Sequence, residues 1–121
     1  MNKVIFDSHV LSSWQKIDPE GWQNIVADLI MTFLEVVPQQ FAQLRSQLNK
    51  KNFVEVRKIS HSLKSACGNV GAESARDILN QIEMDESITE EKMQELVGSL
   101  DEIFLKTQAE MVNFKKLIQA D

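Results

Sequence analysis

His61 stands in the middle of an apolar-periodic stretch and carries an unusual set of neighbours. At about 100° per residue, Val56, Ile59, Leu63, Ala66 and Val70 fall within roughly 40° of the direction opposite it. The ring is therefore expected to face solvent from a helix whose far side is core. On its own face lie Arg57 at i−4, Lys64 at i+3, Ser65 at i+4 and Gly68 at i+7, positions whose side chains meet on a helix surface. Lys58 is close by on the same turn. A neutral imidazole offers a nucleophilic ring nitrogen. Cations around it stabilise negative charge on a phosphoryl group in transit. The small Ser65 and Gly68 leave room for another active site to approach. Set against this, a surface histidine among lysines is ordinarily only a solvated side chain, and geometry alone does not decide.

The remaining reactive side chains point to less. His9 lies in the N-terminal segment without acidic or cysteine company and reads as structural or solvated. Cys67 is the one cysteine, so no internal disulfide and no cysteine zinc site can form. It leans to the core side and reads as a small hydrophobe rather than a redox sensor. Asp85, Glu86, Glu90 and Glu91 flank a helix start, where they favour the dipole, and show no metal-site spacing. Trp14 and Trp22 read as packing at one end of a bundle. Two histidines are too few for a haem or metal bundle. No glycine-rich nucleotide loop is present, which argues against ATP binding and autophosphorylation.

The elements that must hold His61 are helices. Four glycines and two prolines interrupt the chain, and no stretch alternates with period two. Asp18-Pro19-Glu20 is a start signal, with Asp18 as N-cap and Pro19 at the first helical position. After it Trp22, Ile25, Val26, Leu29, Ile30, Phe33, Leu34, Val37, Phe41, Leu44 and Leu48 form one stripe to about Asn49, with a kink or break expected at Pro38. The second long helix follows Lys50-Lys51-Asn52, where Asn52 and Glu55 resemble a capping box, and runs to about Gly68. Gly68, Asn69 and Gly71 tolerate positive φ. A third helix is expected over about Ala72–Met84, with Ala75, Ile78, Leu79 and Ile82 inward. A turn over Asp85–Ile88 leads to a last helix starting near Ser87, with Met93, Leu96, Val97, Leu100, Ile103, Phe104, Met111, Phe114 and Leu117 inward. Residues 1–17, through Phe6, Val10, Leu11 and Trp14, are expected to cap one end. The fold class is thus all-α, an up-down antiparallel four-helix bundle over residues 18–118 with a short N-terminal helical segment, forming one domain over residues 1–121.

A chain of 121 residues, 43% hydrophobic and 26% charged, can build one core without staples. No apolar run near 18 residues reads as a membrane span, and Met1–Val10 lacks the pattern of a signal peptide, so a cytoplasmic location is expected. The net charge of −5 argues against generic nucleic-acid binding. Lys50, Lys51, Arg57, Lys58 and Lys64, opposed in that stretch by Glu55 alone, nonetheless make a basic island suited to an anionic partner.

Read as one string, Ile59-Ser60-His61-Ser62-Leu63-Lys64-Ser65-Ala66-Cys67-Gly68-Asn69-Val70-Gly71-Ala72 resembles the motif of histidine phosphotransfer domains. That motif has a histidine, an apolar residue at i+2, lysine at i+3, a small residue at i+4 and glycine at i+10. His61, Leu63, Lys64, Ser65 and Gly71 occupy those places. The resemblance is tightest over residues 53–84 and extends as a helix pattern over about 18–118. It implies His61 as phosphoryl acceptor, Lys64 as electrostatic partner of the phosphate, and Gly71 as the turn closing the helix. It also places an acidic or amide residue, here Glu83, near the histidine, where it would fix the ring tautomer and leave the other nitrogen to attack. The departure is Ser65, where glycine is commonest in the family. The implied partners are the receiver domains of a hybrid sensor kinase and of a response regulator, met by a monomer. Arg57 and Lys58 would contact the partner, and no cofactor is implied beyond a Mg2+ supplied by the receiver. A helical adaptor that binds receivers or partner helices without accepting phosphate is the alternative.

Overall fold

A computed structural model describes residues 4–119. Residues 1–3 of the expected cap segment lie outside the described residues, as do 120 and 121. Six helices follow in order: α1 (His9–Ser12), α2 (Trp14–Ile17), α3 (Trp22–Asn49), α4 (Phe53–Val70), α5 (Glu73–Met84) and α6 (Glu90–Gln119). α4 packs on α3 and α5, and α6 packs on the same two, so the four long helices close a ring around one core. The short α1 and α2 lie against α3, and α1 also against α4.

The core is the set of inward stripes meeting at the centre of this ring. Val26, Ile30, Phe33, Val37, Leu44 and Leu48 come from α3, and Val56, Leu63, Cys67 and Val70 from α4. Ala75, Leu79 and Ile82 of α5 and Met93, Leu96, Val97, Leu100, Phe104 and Met111 of α6 complete it. Leu11 is, among the described residues, the one fully buried residue of the N-terminal cap; Phe6, Trp14 and Trp22 pack at its margin. Each such burial is worth on the order of 2 kcal/mol, so the stripes fix which face of each helix is left for chemistry.

Several boundaries and faces differ from expectation. α3 runs unbroken through Pro38. Pro38 is exposed, so the carbonyl deprived of its donor is on the side open to hydration, and the lost bond costs less there. Asp18 caps a preceding turn, accepting from Gly21 N–H at 2.9 Å, and α3 proper begins at Trp22. The cap of α6 is Thr89, whose hydroxyl accepts from Lys92 N–H at 3.1 Å, whereas Ser87 bonds back to Asp85. Leu117 is 73% exposed beyond the end of the core, while Thr107 is buried, its hydroxyl donating to the Ile103 carbonyl at 2.7 Å. The core face of α4 is centred nearer Ser60 and Cys67, leaving Ile59 and Ala66 half-buried. Contrary to the expectation that no run near 18 residues reads as a span, α3 is by length and composition long and apolar enough to cross a membrane. In the bundle its apolar stripe faces the other helices.

α4 ends at Val70, not at Gly68, and among the positive-φ candidates only Gly71 takes the left-handed conformation, at φ 83°. The N–H groups of Gly71 and Ala72 both turn back to the Cys67 carbonyl, which satisfies the helix end. A Cβ on Gly71 would collide with the Asp7 carbonyl oxygen. The N-terminal segment crosses this turn closely, with Asp7 N–H donating to the Gly71 carbonyl at 2.8 Å and Ser74 Oγ to the Val4 carbonyl at 2.6 Å. The turn therefore locks the register of α5 against α4.

Candidate functional site

With α4 and α5 joined by so short a turn, residues equally far from Ala72 on either side face each other. Two such pairs form the site: His61 with Glu83, and Lys64 with Asn80. A third, Gly68 with Arg76, continues the seam, and the Arg76 stem lies 3.5 Å from where a Gly68 Cβ would be.

The His61 side chain is 63% exposed. Its Nδ1 lies 2.6 Å from Glu83 Oε2. Glu83 Oε1 lies 2.5 Å from Lys64 Nζ, which also donates to Asn80 Oδ1 at 3.2 Å. The hydrogen bond from Lys64 holds the Glu83 carboxyl below its ordinary pKa, with further help from His61 and against the cost of partial burial. Glu83 is therefore an acceptor-only carboxylate at neutral pH, and the short contact assigns the proton to Nδ1. That leaves Nε2, on the other side of the ring, with a free lone pair.

The other expected site residues are spread around this centre. Ser65 is exposed beside Lys64, and Gly68 is half-buried under the Arg76 stem. Gly71 closes the helix below them. Lys58 is exposed and pairs with Glu55 at 3.5 Å. Arg57 departs from expectation. It is half-buried and lines a recess with Phe53, Glu86, Ile88, Glu90 and Met93, under the α5–α6 connection. The basic island is likewise less free than the sequence suggests. Lys51 reaches Glu90 at 3.8 Å, Lys58 reaches Glu55, and Lys64 reaches Glu83. Those carboxylates come mostly from other helices, so a count along α4 alone does not see them.

Asn80 was not among the residues singled out in the sequence. Its signal was available: it mirrors Lys64 about the Gly71-Ala72 turn, as Glu83 mirrors His61. Outside the site, His9 has a 94% exposed ring whose Nδ1 is 3.1 Å from Asp7 Oδ1, a local partner that the sequence reading passed over. Cys67 is buried, and desolvation pushes its thiol up to about 12, far from thiolate chemistry at neutral pH. Among the described residues no three of His, Cys, Asp and Glu converge as a metal site.

A family model, the Hpt domain, matches residues 28–113. That span covers most of the chain and includes His61, Lys64, Asn80 and Glu83. The chain belongs to the Hpt domain family, whose members are helical bundles that serve histidine phosphotransfer in phosphorelays of two-component signalling and meet receiver domains there. Comparison with curated proteins and with solved structures gave no match.

Proposed function

We propose that this protein is a phosphoryl carrier in which His61 Nε2 takes a phosphoryl group from a receiver aspartate and passes it to the aspartate of a second receiver. The observation that carries the reading is the short contact from Glu83 to His61 Nδ1, with the Lys64 ammonium on the same carboxylate. In the forward step the Nε2 lone pair attacks phosphorus in line. The bond from phosphorus to the aspartyl oxygen breaks, and the carboxylate leaves with that electron pair. The ring then carries substituents on both nitrogens and a positive charge, which the Glu83 carboxylate offsets while holding the Nδ1 proton. Lys64 opposes the charge of the incoming phosphoryl oxygens. Transfer out is the same step reversed onto a second aspartate.

On this reading Mg2+ belongs to the receiver, and the chain neither binds ATP nor phosphorylates itself. Its partners are the receivers of a hybrid sensor kinase and of a response regulator, met by a cytoplasmic monomer. Lys58, Ser65 and Gly68 shape the docking face, and Arg57 supports its edge from a half-buried position. The test is incubation with a receiver phosphorylated on its aspartate, followed by assay for phosphate on the chain that is acid-labile and base-stable. Wild type is expected to take the label, and His61→Gln to keep its fold and melting temperature while taking none. Retained labelling of His61→Gln would remove His61 from the mechanism. A folded wild type that binds the receiver without accepting phosphate would instead make it an adaptor.

A further inference from the structure

Asn80 has no part in the chemistry described so far, yet it is one of two acceptors on the Lys64 ammonium. Its Oδ1 lies 3.2 Å from Nζ, and Glu83 Oε1 lies 2.5 Å from the same atom. The two acceptors are three residues apart on α5, so they hold the ammonium from one helix face. The Lys64 side chain is only 24% exposed, which restricts where the ammonium can go. An ammonium has three N–H donors and no acceptor. One is donated to Asn80 while the charge pairs closely with Glu83, which leaves donor capacity on the ammonium for a further acceptor. A lysine held by Glu83 alone would pivot about a single contact, and its flexible stem would have to be ordered during each transfer. The acceptors also differ in kind. Glu83 offsets the positive charge that a phosphoryl group needs, whereas the neutral Asn80 amide fixes the position of Nζ without adding a negative charge.

We infer that Asn80 is a positioning residue for phosphoryl transfer, anchoring Lys64 Nζ beside Glu83 so that a remaining N–H meets the phosphoryl group on His61. The inference rests on the carrier reading above and adds a residue to it. Phosphoramidate is a suitable donor because it needs no docking partner. His61 Nε2 bonds to phosphorus, the P–N bond breaks, and ammonia leaves with the electron pair. The rate of His61 phosphorylation by phosphoramidate is measured for wild type, Asn80→Ala, Lys64→Ala and the double variant, with circular dichroism as the folding control.

Asn80→Ala is expected to slow the reaction by about ten- to a hundredfold, as loss of a supporting partner does at other sites. It should cost nothing further in the Lys64→Ala background, because it acts only through that lysine. A wild-type rate for Asn80→Ala, or equal slowing in both backgrounds, overturns the inference. Asn80 is exposed and alanine is the better helix former, so the variant should fold. Should it not, Asn80→Leu decides: it keeps the bulk of the side chain on an exposed helical position but removes the acceptor, and a wild-type rate there is equally fatal. The Lys64 ammonium signal in 15N-resolved NMR supplies a readout independent of phosphate. It should be protected from exchange in wild type and lose that protection in Asn80→Ala. Unchanged protection overturns the anchor while leaving the carrier reading standing. A wild type that takes no phosphate on His61 from either phosphoramidate or a receiver sinks the carrier reading, and the transfer role of Asn80 with it.

Discussion

One carboxylate shared between an imidazole and an ammonium makes Glu83 the residue on which the site turns. Its Oε2 orders the ring through Nδ1 and its Oε1 offsets Lys64, so neutralising it affects both. Glu83→Gln keeps a side-chain oxygen able to accept from Nδ1 but removes the charge that steadies the phosphorylated ring. We expect single-turnover transfer to slow by about ten- to a hundredfold, with receiver binding little changed. An unchanged rate would show that the carboxylate orients the ring and contributes no charge. The same group has a pH signature. Its folded-state pKa is depressed below the ordinary 4.5, first by the Lys64 hydrogen bond. A depressed carboxylate stabilises the fold fully above its unfolded pKa, and the contribution is lost as pH falls through the lower folded value. The stability advantage of wild type over Glu83→Gln should therefore shrink as pH falls through and below the ordinary carboxylate range. Urea unfolding of both proteins between neutral and acid pH measures it; an advantage that grows on acidification would contradict the direction of the shift.

At the scale of elements, the α4–α5 turn does the aligning. Gly71 combines a φ of 83° with a position where any Cβ meets the Asp7 carbonyl. Gly71→Ala is expected to cost about 1–3 kcal/mol in urea unfolding, and to loosen the pairing of His61 with Glu83 as the turn shifts. A loss of a few tenths would mean that the N-terminal segment simply moves aside. This turn also explains what could be read in advance. The stripes of α3, α4, α5 and α6 were legible because burial repeats with the helical period, and His61 faces outward because its own stripe lies opposite. Glu83 was found by resemblance, whereas Asn80 needed the register that only the Gly71 turn fixes. Boundaries were less legible for local reasons. Ser87 and Thr89 are both plausible caps, and the choice goes to Thr89 because Asp85 takes the Ser87 hydroxyl and N–H. Pro38 reads as a break in any linear scan, but its ring falls on an exposed face of a long helix packed on the other side. Lys51 takes φ 59° at the end of α3 where a glycine would be expected, so composition gave no sign of that cap. How far the basic island is paired was not legible, because Lys51 and Lys64 meet carboxylates that are distant in sequence.

For the molecule as a whole, a carrier must release one receiver before it meets the next, so its contact has to be small and transient. The seam between α4 and α5 presents His61 at an exposed position with Ser65 one turn away, and α4 carries Lys58 at its rim. Charge at a rim acts mostly on association rate and its salt dependence, whereas steric fit at the centre decides whether the reacting atoms meet. Arg57 is a poor probe of steering, because it is half-buried under the α5–α6 connection and reversing its charge would disturb the fold. Lys58 is the better one: it is 69% exposed and, among the described residues, tied only to Glu55 on its own helix. Lys58→Glu should slow association with a phosphorylated receiver by roughly two- to tenfold at low salt, flatten the salt dependence, and leave transfer within the complex unchanged. Ser65→Trp should do the opposite. Its indole would stand beside Nε2 and hold the donor phosphorus beyond the near-attack distance of about 3–3.5 Å, so transfer should fall by at least a hundredfold while the bundle stays folded. Phosphorylation by phosphoramidate, which needs no protein to dock, should survive the same substitution far better. Rapid-quench transfer at several ionic strengths, with circular dichroism alongside, separates the two effects. If Ser65→Trp transfers from a receiver at the wild-type rate, the partner approaches His61 from the other side of α4, and the docking face must be sought along α3.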